Sequence, residues 1–196
     1  MIAIVDYDTG NLRSVCNAFE RIGAEYILTS DPRAIRHADR VLLPGVGEAS
    51  SAMGKLQERG LAEVVKSLTQ PVLGICIGMQ LMCRHSEEGN VGCMDIFHVD
   101  VRRLRADEGS GVKVPHMGWN EVSGLRSPLF DGVNEGDFFY FVHSFAAGTC
   151  HETIAVSENG TRFSAALNAG NFYGTQFHPE KSGRLGEVIL RNFMAL

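Results

Sequence analysis

Val72-Leu73-Gly74-Ile75-Cys76-Ile77-Gly78-Met79-Gln80 is an apolar run that ends on a glycine-flanked cysteine and passes into a helix-forming segment. The first residues suit a buried strand, and the step from strand to helix is the pattern of a nucleophile elbow. Gly74 and Gly78 let neighbouring backbone pack where a Cβ would collide. A thiol at that turn sits at the mouth of a helix, where the dipole favours thiolate and free N–H groups can hold an oxyanion. The same segment also suits a buried structural cysteine, the commoner fate of a free thiol.

Outward from this strand, the first half of the chain alternates strand and helix. Strands are expected at 2–6, 25–28, 41–43 and 72–75, and helices at 11–22, from Pro32, at 49–58 and at 61–68. The first helix follows from the spacing of Leu12, Val15, Phe19 and Ile22, and Pro32 is tolerated in a first turn. This order predicts an α/β fold with a flavodoxin-like parallel or mixed sheet and helices on both faces. Sites in such sheets lie off the carboxyl ends of strands. The 44–47 loop and Cys76 occupy two such ends and can converge.

The second half reads as an antiparallel extension with hairpins. Short strands are expected at 99–104, 137–142, 153–157, 163–167 and 172–177, followed by a closing helix at 186–193. The polar turn at 106–111 is too short to divide domains, so residues 1–196 are expected to form a single domain. Gly10 and Gly23 have the wrong spacing for a dinucleotide fingerprint.

A thiol nucleophile needs a base, and the base needs a group to fix its tautomer. The strand expected at 172–177 runs directly into His178-Pro179-Glu180. In extended backbone, residues two apart point the same way, and Pro179 biases His178 toward extended conformations. Alone, this tripeptide would suit a surface turn; beside the elbow it supplies the base and its orienting carboxylate.

Composition narrows the classes. At 196 residues and 44% hydrophobic, the chain can bury a substantial core. A net charge of −5 argues against a nucleic-acid-binding surface. No window approaches a membrane span, and the first apolar run stops at Asp6, which predicts no secretory signal. Five cysteines without a Cys-x-x-Cys pair argue against disulfide and zinc frameworks. No metal or cofactor is expected, and the cytoplasm is the compartment that would keep Cys76 reduced.

The segment 74–80 together with His178-Pro179-Glu180 resembles the class I, triad-type glutamine amidotransferases. Pro115-His116-Met117-Gly118-Trp119-Asn120 and Tyr140-Phe141-Val142-His143-Ser144-Phe145 are similar to one branch, the glutaminase subunits of imidazole glycerol phosphate synthase from histidine biosynthesis. The opening 8–15 (Asp8-Thr9-Gly10-Asn11-Leu12-Arg13-Ser14-Val15) and the Leu43-Pro44-Gly45-Val46-Gly47 loop fit the same branch, so the resemblance spans the chain in order. It implies hydrolysis of L-glutamine by a Cys76–His178–Glu180 triad. It implies an oxyanion hole from the backbone of Ile77, Val46 and Gly47, and glutamine contacts at Gly47, Gln80, Ser144 and Phe145. It also implies a (β/α)8-barrel cyclase partner that takes ammonia through an internal channel, with Trp119, Tyr140 and Lys181 at the junction. In such enzymes the glutaminase idles until its partner binds nucleotide ligand. His143 could rival His178 as a base, but the resemblance makes its segment a backbone binder, and we read His143 as structural.

Three other readings stay open on sequence: the glutaminase subunit of a different synthase, a γ-glutamyl peptidase using the same triad, and a redox-sensing flavodoxin-like module. The last gives no reason for His178 and Glu180 to accompany Cys76.

Overall fold

The computed structural model describes residues 1–8, 12–105 and 112–196. The start of the first expected helix, part of the 8–15 motif including Gly10, and the polar turn at 106–111 lie outside the described residues. The first half runs β1 (Ile2–Val5), α1 (Leu12–Arg21), β2 (Tyr26–Thr29), α2 (Pro32–His37), β3 (Arg40–Leu43), α3 (Ala49–Glu58), α4 (Leu61–Lys66), β4 (Val72–Ile75) and α5 (Ile77–Met82). The second half adds β5 (Cys83–Ser86), β6 (Val91–Gly92), β7 (Phe97–Arg103), β8 (His116–Glu121), β9 (Phe138–His143), β10 (Phe145–Ala147), β11 (Thr153–Asn159), β12 (Thr161–Ala169), β13 (Phe172–Thr175) and α6 (Gly183–Ala195).

Seven strands form the main sheet in the order β11-β12-β13-β4-β3-β1-β2. β1 to β4 are mutually parallel, and their central members are apolar runs buried on both faces. The helices divide between the faces. α1 and α6 share one side, joined by an Arg21–Glu187 ion pair at 3.2 Å, while α2, α3 and α4 pack together on the other. Local chemistry sets the helix starts. Asp31 accepts from Arg33 N ahead of Pro32, and the Glu48 carboxylate accepts from Ser50 N and Ser51 N at the head of α3.

The antiparallel extension is β11-β12-β13, and β13 returns to lie parallel beside β4. That pairing matches Thr175 with Ile75 and so brings two distant stretches of chain to one sheet end. A four-stranded sheet (β10-β7-β5-β6) and a two-stranded ribbon (β8-β9) stand beyond it. β5, β6, β8 and β10 were not expected from sequence, because β5, β6 and β10 are only 4, 2 and 3 residues long and β8 carries its apolar Met117 and Trp119 on the exposed face. The strand expected at 172–177 stops at Thr175. There Gln176 N turns to the Ala165 carbonyl, and the chain bends before His178. Among the described residues, no helix is long and apolar enough to cross a membrane.

Candidate active site

Cys76 closes β4 and opens α5 with φ 52° and ψ −110°, a strained conformation for a residue with a side chain. Its N–H donates to the Thr175 carbonyl at 2.7 Å, and its carbonyl accepts from Gln80 N at 3.1 Å. The sharp turn depends on two glycines. A Cβ on Gly78 would drive into the Leu43 carbonyl, and one on Gly74 into Met82 and the Gly78–Met79 backbone. The thiol is buried, receives Gln176 Nε2 at 3.6 Å and lies 3.9 Å from the Val142 carbonyl.

His178 is fixed from several sides. Its N–H donates to the Tyr140 carbonyl at 2.9 Å, and its own carbonyl accepts from Ser182 Oγ at 2.7 Å. Its Nδ1 lies 2.8 Å from Glu180 Oε1, with both side chains buried. A carboxylate accepts, so Nδ1 carries the proton and Nε2 faces the thiol side of the site. The backbone achieves this differently from the sequence expectation. Pro179–Lys181 form a single 3-10 turn, not extended chain, and the turn folds Glu180 back under the ring. Nε2 is buried without a hydrogen-bond partner. Burial works against a charged ring here, but the Cys76 sulfur and then Glu180 outweigh it and push His178 up to about 10.

Cys76 and His178 line one cavity of about 310 Å³. Val46, Gly47, Ile77, Gln80, Ser144 and Phe145 line the same cavity, so every residue expected to form the oxyanion hole or to contact glutamine is brought there. Gln80 is not solvent-facing. Its Nε2 is spent on the Phe145 carbonyl at 2.8 Å and Gln176 Oε1 at 2.9 Å, which leaves Oε1 as its one unpartnered polar atom.

Trp119, Tyr140 and Lys181 also gather. The two rings meet edge to face with centroids 6.0 Å apart, and Lys181 Nζ lies 5.9 Å from the Tyr140 ring. Trp119 is 55% exposed on the outer face of the β8-β9 ribbon, beside the exposed Met117 and Phe138. His143 lines the cavity from behind, with Nδ1 bonded to the Phe145 carbonyl. His37, His98 and His151 are exposed, and His85 is half-buried with Nε2 on Asn90.

Sequence reasoning missed Glu88. It is the one carboxylate lining the cavity among the described residues, anchored by Ala49 N at 3.0 Å, and burial raises its pKa. It follows Glu87 in a polar turn, where nothing local marks it. Gln176, which bridges Gln80 and Cys76, was also missed, because it was read as strand interior.

Residues 3–196 match the family model described as glutamine amidotransferase class-I, and the chain belongs to that family. Within it, the chain is 53% identical over 195 residues to "Imidazole glycerol phosphate synthase subunit HisH" of Bacteroides thetaiotaomicron, covering 100% of this chain and 99% of that relative. A protein of the same name from Idiomarina loihiensis is 48% identical over 196 residues, with 100% and 97% covered. Among solved structures, a glutamine amidotransferase superposes with TM-score 0.75 at 15% identity, over 100% of this chain and 98% of that one. The Trypanosoma brucei CTPS glutaminase domain with bound acivicin gives TM-score 0.65 at 17% identity, over 99% and 93%. At those identities the structures speak to the fold alone.

Proposed function

We propose that residues 1–196 work as one glutaminase unit of imidazole glycerol phosphate synthase, hydrolysing L-glutamine for histidine biosynthesis. Full-length identity of 53% and 48% to HisH subunits supports the assignment within the family. The observation that carries the chemistry is the pairing of His178 Nδ1 with Glu180 at 2.8 Å while Nε2 stays unpartnered behind the same cavity as the Cys76 thiol.

His178 takes the proton of Cys76, and Glu180 fixes the ring and supports the imidazolium. The thiolate attacks the side-chain amide carbon of glutamine. Backbone N–H groups of Ile77 and the 46–47 segment receive the oxyanion, each such donor being worth ~3 kcal/mol. Ammonia leaves with the proton from His178, and water then hydrolyses the thioester. Glu88 is the group chemically suited to the substrate's ammonium, and Gln80 Oε1 is free to accept from a substrate donor.

Ammonia in water at neutral pH is mostly ammonium, a poor nucleophile, so the product must be handed on dry. A subunit works with a partner, here a (β/α)8-barrel cyclase seated on the apolar face of Met117, Trp119 and Phe138, with Tyr140 and Lys181 at its edge. A freestanding γ-glutamyl peptidase would have no use for that face. The cytoplasm is the compartment suited to a reduced Cys76. The test is glutamate release and glutamine-dependent cyclase product in the reconstituted pair, with and without acceptor nucleotide. Cys76→Ala should abolish both with the fold intact. Substantial glutamate release from that variant would overturn the assignment.

A further inference from the structure

Behind the cavity wall runs a second polar string, buried at His143 and His116 and half-buried at Asn120, that the chemistry above does not use. His143 Nδ1 lies 2.9 Å from the Phe145 carbonyl. A carbonyl only accepts, so Nδ1 carries the hydrogen. Burial keeps this ring neutral, pulling it down to about 3, and Nε2 is therefore a lone pair. His116 Nδ1 stands 2.9 Å from that lone pair and must donate to it. His116 is also lowered by burial, so its Nε2 accepts, here from Asn120 Nδ2 at 3.1 Å. The second amide hydrogen of Asn120 goes to the Glu158 carbonyl at 2.7 Å, and its Oδ1 accepts from Glu121 N at 2.9 Å. From Asn120 through His116 and His143 to the Phe145 carbonyl the donors point one way, the second Asn120 hydrogen points outward to Glu158, and every polar atom of the three side chains is used. Satisfied buried networks of this kind hold one geometry.

Both ends of the string lie at functional surfaces. At one end, the Phe145 carbonyl also accepts Gln80 Nε2, so the 144–145 wall of the cavity, tied to β7 by backbone pairing and by Leu104 N on the Ser144 carbonyl, takes two further buried side-chain donors. At the other end, Asn120 and His116 belong to β8. Side chains alternate along a strand, so Met117 and Trp119 face outward while His116 and Asn120 face inward. His116 also stacks on Phe141 across the ribbon, with centroids 5.0 Å apart. We propose that Asn120, His116 and His143 are positioning residues that lock the 144–145 wall of the glutamine cavity to the exposed strand β8.

This inference rests on the glutaminase reading for its kinetic consequence but not for its hydrogen positions, so two measurements separate them. In the reconstituted complex, His116→Phe keeps the stacking and loses the donor. The glutamine KM is expected to rise about tenfold, the scale of one lost buried hydrogen bond, with kcat changed less than about threefold. His116→Asn replaces the donor near Nδ1 and should bring KM back to within about threefold of the parent. Equal KM values for the two variants would overturn the proposal, because packing alone would then account for the site. Independently of turnover, 15N shifts at neutral pH should show the Nδ1–H tautomer in both His116 and His143. An Nε2–H tautomer in either ring would overturn it even if His116→Phe fails to fold. Absence of glutamate release by the parent complex would count against the glutaminase reading and leave the tautomer measurement standing.

Discussion

His178 and His143 line one cavity and are 2% and 7% exposed, yet the two regions that hold them give them opposite chemistry. At the end of the seven-stranded sheet, His178 has a thiol on one side and a carboxylate on the other, and is pushed up to about 10 despite burial. On the two-stranded ribbon, His143 has another imidazole and a carbonyl for neighbours, and burial takes it down to about 3. Burial lowers both rings: at His143 no negative side chain opposes it, whereas at His178 the Cys76 sulfur and the Glu180 carboxylate outweigh it. Environments that push two titratable groups apart are how one site separates a proton carrier from a fixed hydrogen-bond donor.

The largest effect expected from this contrast is catalytic. His178→Ala should lower kcat of the complex by ~10²–10⁴-fold, the range of a general base, whereas His143→Asn should cost less than about tenfold. Equal losses in steady-state glutamate release would erase the distinction. Next, Glu180→Gln keeps the shape but removes the negative charge facing Nδ1. A fall of ~10²-fold in kcat is expected, with the His178 pKa moving down from about 10 as read by NMR titration. An unchanged pKa would mean that Cys76 alone sets it.

The outer face of the ribbon offers a smaller effect. Trp119→Ala should weaken association with the cyclase by about 2 kcal/mol, roughly 30-fold in Kd by calorimetry, while glutamate release at saturating partner is retained. The least effect is in stability against pH, where the two histidines have opposite signs. His143 has its folded pKa, about 3, below the unfolded value of 6.5. It therefore opposes folding increasingly as pH falls from 6.5 toward 3, because only the unfolded chain takes up the proton. His178 has its folded pKa, about 10, above 6.5, so its contribution is present below pH 6.5 and lost as pH rises toward 10. Thermal midpoints should lose part of their acid slope in His143→Asn and part of their alkaline slope in His178→Asn, shifts of about 2–4 °C for each kcal/mol. The same slope lost in both variants would refute the opposition.

The difference between the regions also explains what could be read from the chain. β4 ends where the apolar run ends, and α3 spans Ala49–Glu58 as expected, because burial on both faces and helix periodicity leave marks within a few residues. The ribbon left no such mark. β8 reads His-Met-Gly-Trp-Asn-Glu, and its inward and outward sides become distinct only once β9 pairs with it. Glu88 was unreadable for a related reason: its place on the cavity wall is set by Ala49, from a separate part of the chain. The His178–Glu180 pair was anticipated by composition but not by conformation, since a 3-10 turn makes the contact that extended chain was expected to make.

By itself the sequence determined the elbow: a strand that must be buried, two glycines where backbone crosses backbone, and a thiol left at the turn. It also determined which side chains were available as base and orienting acid. Only the tertiary structure decided that they meet. The parallel pairing of β13 with β4 sets Thr175 against Ile75, so Cys76 N reaches the Thr175 carbonyl at 2.7 Å and His178 follows a few residues later. Propensity and sterics act over a few residues and are written locally. Strand pairing across a long loop is chosen by the energy of the whole core, and no short stretch of chain carries that information.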